Sequence, residues 1–497
     1  MRVLMVAAEC FPYAKSGGLG DVVGALPSAL AARGHDVVVV LPRYRGVDVE
    51  RQVGSIDLQL GPRHFQVPLQ LAHLAGGVRV WLVDEPSLFD RPSLYGVGQT
   101  DYADNALRFA MLSKAALQAA AQLAFRPDIV HAHDWHAGLV PLYLRTDFAT
   151  TTLARARTVF TIHNLAYQGL FDAHWVPALG IDWHRYNPEG LEFWGRLSFL
   201  KAGINYADAI STVSPGYARE ILTPSLGCGF DGILRRRVSS LTGILNGIDT
   251  QIWDPATDPF LPAHYSVRDL EGKRALKRAL LERVGLWSER ALAAPVVGMV
   301  SRMVDQKGLD LIQAVAHRLP RLGATFVIHG TGEARYEDMW RELAADWPDR
   351  IAAVIGFDEA LAHLIEAGSD IWMMPSRFEP CGLNQMYSQR YGTVPVVRAT
   401  GGLGDTVEAF DPTTGAGTGF TFAEASSKAF LDALKAALTV FADRPVWQRL
   451  QRAGMNRDFS WAPAARSYED VYRAAIERWT PSSGGGVATK RWKLNPM

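Results

Sequence analysis

Cysteine is scarce in this chain: Cys10, Cys228 and Cys381 are the only three in 497 residues. An odd number without CxxC or metal-ligand spacing argues against a disulfide framework and fits a reducing cytosol. A charge excess is missing too, since Lys+Arg and Asp+Glu number 51 each. No overall basic field is available for nucleic acid or anionic lipid, so any polyanion must be met locally. No apolar run approaches the length of a membrane span. The apolar start, Met1–Ala8, is stopped by Glu9, Pro12 and Lys15 and lacks a basic leader or a cleavage pattern. It reads as a first buried strand, which makes a cytoplasmic protein the expectation.

What is present describes a globular α/β protein. At 497 residues, 48% of them apolar and 21% charged, the chain is too long for one core and should divide into two or three domains. Arg2–Ala8 reads as a strand, a glycine loop follows, Val22–Arg33 has helical spacing ending at Gly34, and Val37–Leu41 is a second strand. Continuous apolar strands in a βαβ order imply a parallel sheet covered on both faces. A long helix is expected over Asp104–Ala124, with further strands at Ile129–His133, Thr158–His163 and Ala209–Val213. The pattern restarts with strands at Pro295–Val300, Thr325–His329, Ile351–Ile355, Ile371–Met374 and Val394–Val397, and a helix running to Leu319. Two doubly wound units result, with a boundary in Asn246–Pro255. The expected division is 1–246, 247–461, an amphipathic helix over 462–480 with Tyr468, Val471, Tyr472 and Ile476 on its packing face, and a flexible tail at 481–497.

Two octapeptides, one per half, are nearly the same. Ser16-Gly17-Gly18-Leu19-Gly20-Asp21-Val22-Val23 and Thr400-Gly401-Gly402-Leu403-Gly404-Asp405-Thr406-Val407 agree at six of eight positions. Paired glycines before a helix let backbone approach a ligand, and helix-start N–H groups attract an anion. Open α/β sheets bind ligands at the carboxyl ends of their strands. Collecting polar residues there gives Lys15, His131, Asp134, His163 and Asn164 from the first half. The second half gives Arg302, Lys307, Glu333, Glu379 and the loop 400–405. Arg302 and Lys307 share one strand-to-helix loop, where a fork and a point charge can clamp two phosphates. His131, His133, Asp134 and His136 resemble a metal cluster, but no cysteine or further carboxylate lies at ligand spacing, and hydrogen bonding to a polar substrate is preferred. Asp-x-Asp, a frequent metal-holding pair in enzymes of nucleotide sugars, occurs nowhere in the chain. Cations and main-chain amides are therefore left to neutralise a diphosphate, with no metal or other cofactor expected.

From Arg2 to about Arg478 the chain resembles the starch-synthase-type retaining glucosyltransferases, the family of bacterial glycogen synthase. The matching segments are Lys15–Leu19, His131–His136, Thr161–Gly169, Leu245–Asp249, Ser301-Arg302, Gln306–Gly308 and Arg377–Leu383. The resemblance implies two facing Rossmann-like domains (GT-B type), a deep cleft between them, and a last helix crossing back to the first domain. It implies transfer of glucose from ADP-glucose to the non-reducing 4-hydroxyl of an α-1,4-glucan such as glycogen. Lys15, Gly17 and Gly18 would meet the donor, Arg302 and Lys307 would stabilise the departing ADP, and Glu379 would hold glucose hydroxyls. His163 would lie beside the reacting carbon, perhaps through its carbonyl, with Asp134 and Asn246 lining the glucose pocket and Tyr95 near it. Phe357 would stack on adenine. Asn164, Cys381, Gly382, Leu383, Gly401 and Gly402 complete the expected substrate-binding set. A glutamate found in many related enzymes eight positions after the first is here Tyr387, which leaves the ribose contact unassigned. Three rivals remain: the same scaffold using UDP-glucose or another acceptor, a nucleotide-sugar epimerase or hydrolase, and a non-catalytic glucan binder. Against the last stands the Arg302, Lys307 and Glu379 set, which sugar binding alone does not require.

Overall fold

A computed structural model describes residues 1–98 and 100–478. The expected tail at 481–497 and the last two residues of the expected final helix lie outside the described residues.

The first sheet has nine strands. Across it run Leu241–Gly243, Ala209–Thr212, Arg157–Ile162, Ile129–His133, Arg2–Val6, Asp36–Pro42, Arg79–Val83, Arg63–His73 and Arg51–Leu60. The strands from 241–243 to 79–83 pair in parallel, while the last two add antiparallel. That antiparallel edge corrects the expectation of a wholly parallel sheet. Its signal was the alternation of Ile56, Leu58 and Leu60 with polar neighbours, all three buried, which marks strands with one solvated face. Second in the chain comes a six-stranded, all-parallel sheet ordered Ile351–Ile355, Thr325–Gly330, Val296–Val300, Ile371–Met374, Val394–Arg398 and Phe420–Phe422. In sequence order that is 3-2-1-4-5-6, the doubly wound arrangement whose ligand crevice opens where the order reverses. Helices cover both faces, so the second sheet carries two separate cores.

The helix expected to run to Leu319 breaks. An α-helix spans Leu309–Gln313, and a 3-10 stretch occupies Ala316–Arg321 with Pro320 inside. Proline lacks the N–H that a continuing α-helix needs, and its ring clashes with the preceding turn. The final helix, Trp461–Glu477, packs Trp461, Tyr468, Val471 and Tyr472 into the core of the first domain, whereas Ile476 is exposed. Glu469 fastens it, accepting from Arg33 Nε at 2.6 Å and pairing with His35 Nε2 at 2.8 Å. Gly247 lies where a Cβ would stand 2.7 Å from Trp461 Cα, so the chain crosses to the second domain directly beneath the start of its returning helix.

Candidate active site

Each sheet has its order reversal beside its first strand. In the first domain the reversal separates Arg2–Val6 from Ile129–His133, and the loops leaving them carry Glu9, Lys15 and Asp134. In the second it separates Val296–Val300 from Ile371–Met374, and those loops carry Arg302, Lys307 and Glu379. The two crevices belong to one region: Asp21 of the first glycine loop is within electrostatic reach of Glu359 and Tyr387 of the second domain.

In the second domain Lys307 Nζ meets Glu379 Oε2 at 2.6 Å, and Ser376 Oγ donates to the same oxygen at 3.0 Å. Gly308 makes this possible. It adopts φ 74°, and a Cβ there would stand 2.0 Å from the Pro375 carbonyl, so the lysine turn lies flat against the Glu379 loop. Arg377 N bonding to Gln306 O at 2.9 Å closes the same contact. Arg302 is exposed, and its guanidinium has no hydrogen-bond or ion-pair partner among the described residues. The N–H groups of Gly382 and Leu383 are likewise unpaired among the described residues. One free fork and one paired ammonium on the loop after Val296–Val300, and two open amides on the loop after Ile371–Met374, thus accompany a carboxylate that is 5% exposed. Donors of this kind suit an anion, and the carboxylate suits hydroxyl donors. Cys381 is buried, its thiol pushed up to about 12 by burial, and is inert as a nucleophile.

The two glycine loops are used differently. At Gly17 and Gly18 nothing lies within 4 Å of a virtual Cβ, so that backbone faces open space. Beside it a cavity of about 490 Å³ is lined by Lys15, Ser16, Leu94, Tyr95 and Asp101. At Gly401 and Gly402 a Cβ would stand 2.0 Å from the Glu379 carbonyl and 2.1 Å from the Cys381 carbonyl. The second pair of glycines therefore seats the Glu379 loop, which corrects the expectation that both pairs approach a ligand. Their amides are spent, Gly402 N on Glu379 O at 3.1 Å and Gly401 N on the Glu220 carboxylate of the first domain at 2.8 Å. Glu220 and Ser214 escaped the sequence reading as site residues, and Asp405, read only as part of the second glycine loop, turns toward the first domain. Ser214 Oγ donates to Pro380 O at 2.6 Å, and Asp405 accepts from Gly216 N at 2.6 Å. First-domain groups thus hold the loop that carries Glu379.

Glu9, read in the sequence only as the end of the first apolar run, also belongs to the site. Its buried carboxylate accepts from Ser16 N at 2.6 Å, Ser16 Oγ at 2.6 Å, Gly17 N at 3.2 Å and Tyr95 OH at 2.5 Å. An internal anion therefore occupies the entry of the first glycine loop, and Tyr95, stacked on His136 at 4.7 Å, is its fourth donor. Lys15 is pre-paired with Asp21 at 2.6 Å.

Asp134 adopts φ 55°, the left-handed region that an aspartate occupies at a cost. Its Oδ1 accepts from His163 N at 2.8 Å. Burial pushes its carboxyl up to about 7, against the opposing pull of the His163 and Asn164 amides. His163 is itself pushed down to about 3 by burial, so its ring is neutral. That ring meets His133 Nδ1 at 3.0 Å. His131 lies away from the pocket, between Tyr472 OH at 2.8 Å and Thr161 Oγ1 at 2.6 Å, which corrects its place among the strand-end candidates. Among the described residues no three His, Cys, Asp or Glu side chains are grouped to hold a metal. Asn246 contributes a buried Oδ1 with no partner among the described residues. Phe357, 91% exposed, stands just beyond the carboxyl end of strand Ile351–Ile355. Tyr387 is stacked on Trp253 at 3.8 Å, so the position left open in sequence is committed to packing.

Comparison with known proteins agrees with this architecture. The description "Starch synthase catalytic domain" matches residues 2–236, and "Glycosyl transferases group 1" matches residues 288–448. The glycogen synthase of Anaeromyxobacter dehalogenans (strain 2CP-C) is 52% identical over 475 residues, covering 95% of this chain and 99% of the relative. That of Koribacter versatilis is 47% identical over 97% of this chain and 99% of the relative. The catalytic domain of starch synthase IV from Arabidopsis thaliana, solved with ADP and acarbose, superposes with a TM-score of 0.89 at 36% identity, covering 96% of this chain and 99% of that one. The chain belongs to the starch-synthase-type glycosyltransferase family that includes bacterial glycogen synthase.

Proposed function

We propose that the protein transfers glucose from ADP-glucose to the non-reducing 4-hydroxyl of an α-1,4-glucan, with retention and without a metal. The observation that carries this reading is the Arg302 guanidinium, unpaired among the described residues, on the same strand-to-helix loop as the lysine of the Lys307–Glu379 pair, at the order reversal of a six-stranded parallel sheet. The oxocarbenium-like transition state places growing negative charge on the leaving phosphate. Arg302, Lys307 and the amides of Gly382 and Leu383 are fixed donors for that charge, each worth about 3–4 kcal/mol. Glu379, held by Lys307 and Ser376, accepts hydroxyls of the transferred glucose. Asn246 Oδ1 and Asp134 take further hydroxyls, and the carbonyl of His163 faces the anomeric carbon. Phe357 stacks on the base.

Retention is achieved either through a covalent intermediate or by front-face attack. A covalent route needs a free carboxylate at the anomeric carbon. Glu9 is saturated by four donors, Glu379 is tied to Lys307, and Asp134 is held by the His163 amide. This supports front-face departure and attack on an ion pair. The test is turnover of ADP-glucose with glycogen, followed by linkage of the new residue. An α-1,4 product is expected, and equal or greater turnover with UDP-glucose would remove ADP-glucose as the preferred donor. Free glucose without glucan extension would favour a hydrolase.

A further inference from the structure

Three exposed aromatic rings stand on one scaffold that grows directly out of the candidate site. Tyr167, Trp183 and Trp194 are 51%, 52% and 82% exposed. The segment His163–Gly169 leads into strand Leu170–Phe171, which pairs antiparallel with Arg196–Ser198, itself paired with Glu192–Phe193. Trp194 and Gly195 form the tip of that hairpin. Trp194 adopts φ 53°, a region a bulky side chain occupies under strain. Strain of this kind persists only where surrounding contacts impose it.

Those contacts are explicit. Gly195 N donates to Glu192 Oε1 at 2.5 Å, and Tyr186 OH donates to Gly195 O at 2.8 Å. The Trp194 indole Nε1 lies 3.4 Å from where a Cβ on Gly229 would stand, so the ring rests on that glycine. Phe193 stacks on Phe230 with centroids 4.2 Å apart. Gln168 Nε2 donates to the Cys228 carbonyl at 3.0 Å, tying the Tyr167 turn to the loop under Trp194. Trp183 meets Tyr186 edge-on at 5.6 Å. Trp183 and Trp194 are each backed on one side, Tyr167 sits on a tied turn, and all three rings are left bare.

We propose that Tyr167, Trp194 and Trp183 form a lane for the acceptor, on which an α-1,4-glucan stacks its pyranose rings while its non-reducing end reaches His163. This deepens the transferase reading and rests on it. The axial C–H groups of glucose are partly positive and meet the negative face of an indole or phenol ring. The surroundings match a carbohydrate better than a protein partner. Arg196 and Asp172, 49% and 72% exposed, flank the hairpin, and no aliphatic side chain from this segment is among the exposed large hydrophobics. The fully buried center of a protein interface is more apolar and poorer in charge than this segment.

The experiment uses the full chain, with kcat/KM measured on glycogen and on maltotriose, and mobility in native gels containing glycogen. Trp194→Ala should lower the ratio of kcat/KM on glycogen to that on maltotriose about tenfold and abolish most glycogen retardation. Trp194→Phe should recover most of both, and Trp183→Ala should give a smaller change of the same kind. An unchanged ratio and unchanged retardation in both alanine variants would overturn the lane while leaving the transferase reading intact. Wild-type protein retarded by glycogen but inactive with ADP-glucose would overturn the donor assignment and not the lane. A changed oligomeric state in Trp194→Ala with unaltered retardation would make the rings a self-association surface and also overturn it.

Discussion

Replacing Lys307 separates what the Lys307–Glu379 pair does for the fold from what it does for the reaction. The two side chains are 18% and 7% exposed and meet at 2.6 Å. At an effective dielectric of ~20 their attraction is about 6 kcal/mol, most of it offset by the cost of taking both charges out of water. Lys307→Met leaves the Glu379 carboxylate nearly buried with Ser376 Oγ as its remaining side-chain donor, a loss of about 3 kcal/mol. For a domain of this size that lowers the melting temperature by roughly 6–12 °C. Glu379→Gln should cost a similar amount by stranding the ammonium. The double variant Lys307→Met/Glu379→Gln removes both charges and should recover about half or more of the stability. Turnover should behave differently. Lys307→Met should lower kcat by about 10²–10³ through loss of one donor to the leaving phosphate, and the double variant should be no faster. Thermal melts and ADP-release assays on the four proteins give the cycle. A Lys307→Met enzyme within threefold of wild-type turnover would refute the clamp, and additive stability losses in the double variant would refute the pair.

Four further outcomes are expected. Asp134 is protonated below about pH 7, so its ionised form appears as pH rises and kcat/KM should climb between about pH 6 and 8; Asp134→Asn keeps the acceptor for His163 N and should flatten that limb. Glu469 is held down to about 2 by the hydrogen bond from Arg33, so it stabilises the returning helix above its unfolded value near 4.5 and loses that contribution as pH falls from about 4.5 to 2. Urea melts should show about 1 kcal/mol lost across that window in the wild type, a modest figure because Arg33 is partly in water, and no such change in Glu469→Gln. Gly401→Ala, which sets a Cβ 2.0 Å from the Glu379 carbonyl at φ 46°, should lower kcat tenfold or more, whereas Gly404→Ala, with nothing closer than 3.6 Å, should be nearly neutral; equal effects would refute the seating role. Chelator should leave turnover unchanged, and a loss restored by a divalent cation would make the histidine run a metal site.

What was legible in the sequence and what was not divides along a physical line. Strands buried on both faces announce themselves as apolar runs, so Val37–Leu41 and Ile371–Met374 were found, and the strand ends then pointed to Arg302, Lys307, Glu379 and Asp134. The antiparallel edge at Arg51–His73 carries only every second residue inward and was passed over. Charged groups acting inward were missed for a related reason. Glu9, Glu220 and Asp405 look like surface carboxylates in one dimension, and only the fold shows that each caps backbone N–H groups. The octapeptides show the same limit most sharply. Six shared residues signal that both segments need close backbone approach, yet they do not say to what. Gly17 and Gly18 face open space beside Lys15, while Gly401 and Gly402 press on the Glu379–Cys381 backbone. The likeness of the two loops therefore reflects the common demand of a strand-to-helix turn for glycine. Their difference comes from what each meets: open space beside Lys15 for one, the loop bearing Glu379 for the other. Because Glu220 and Ser214 of the first domain hold that second assembly in place, the position of Glu379 depends on both domains at once.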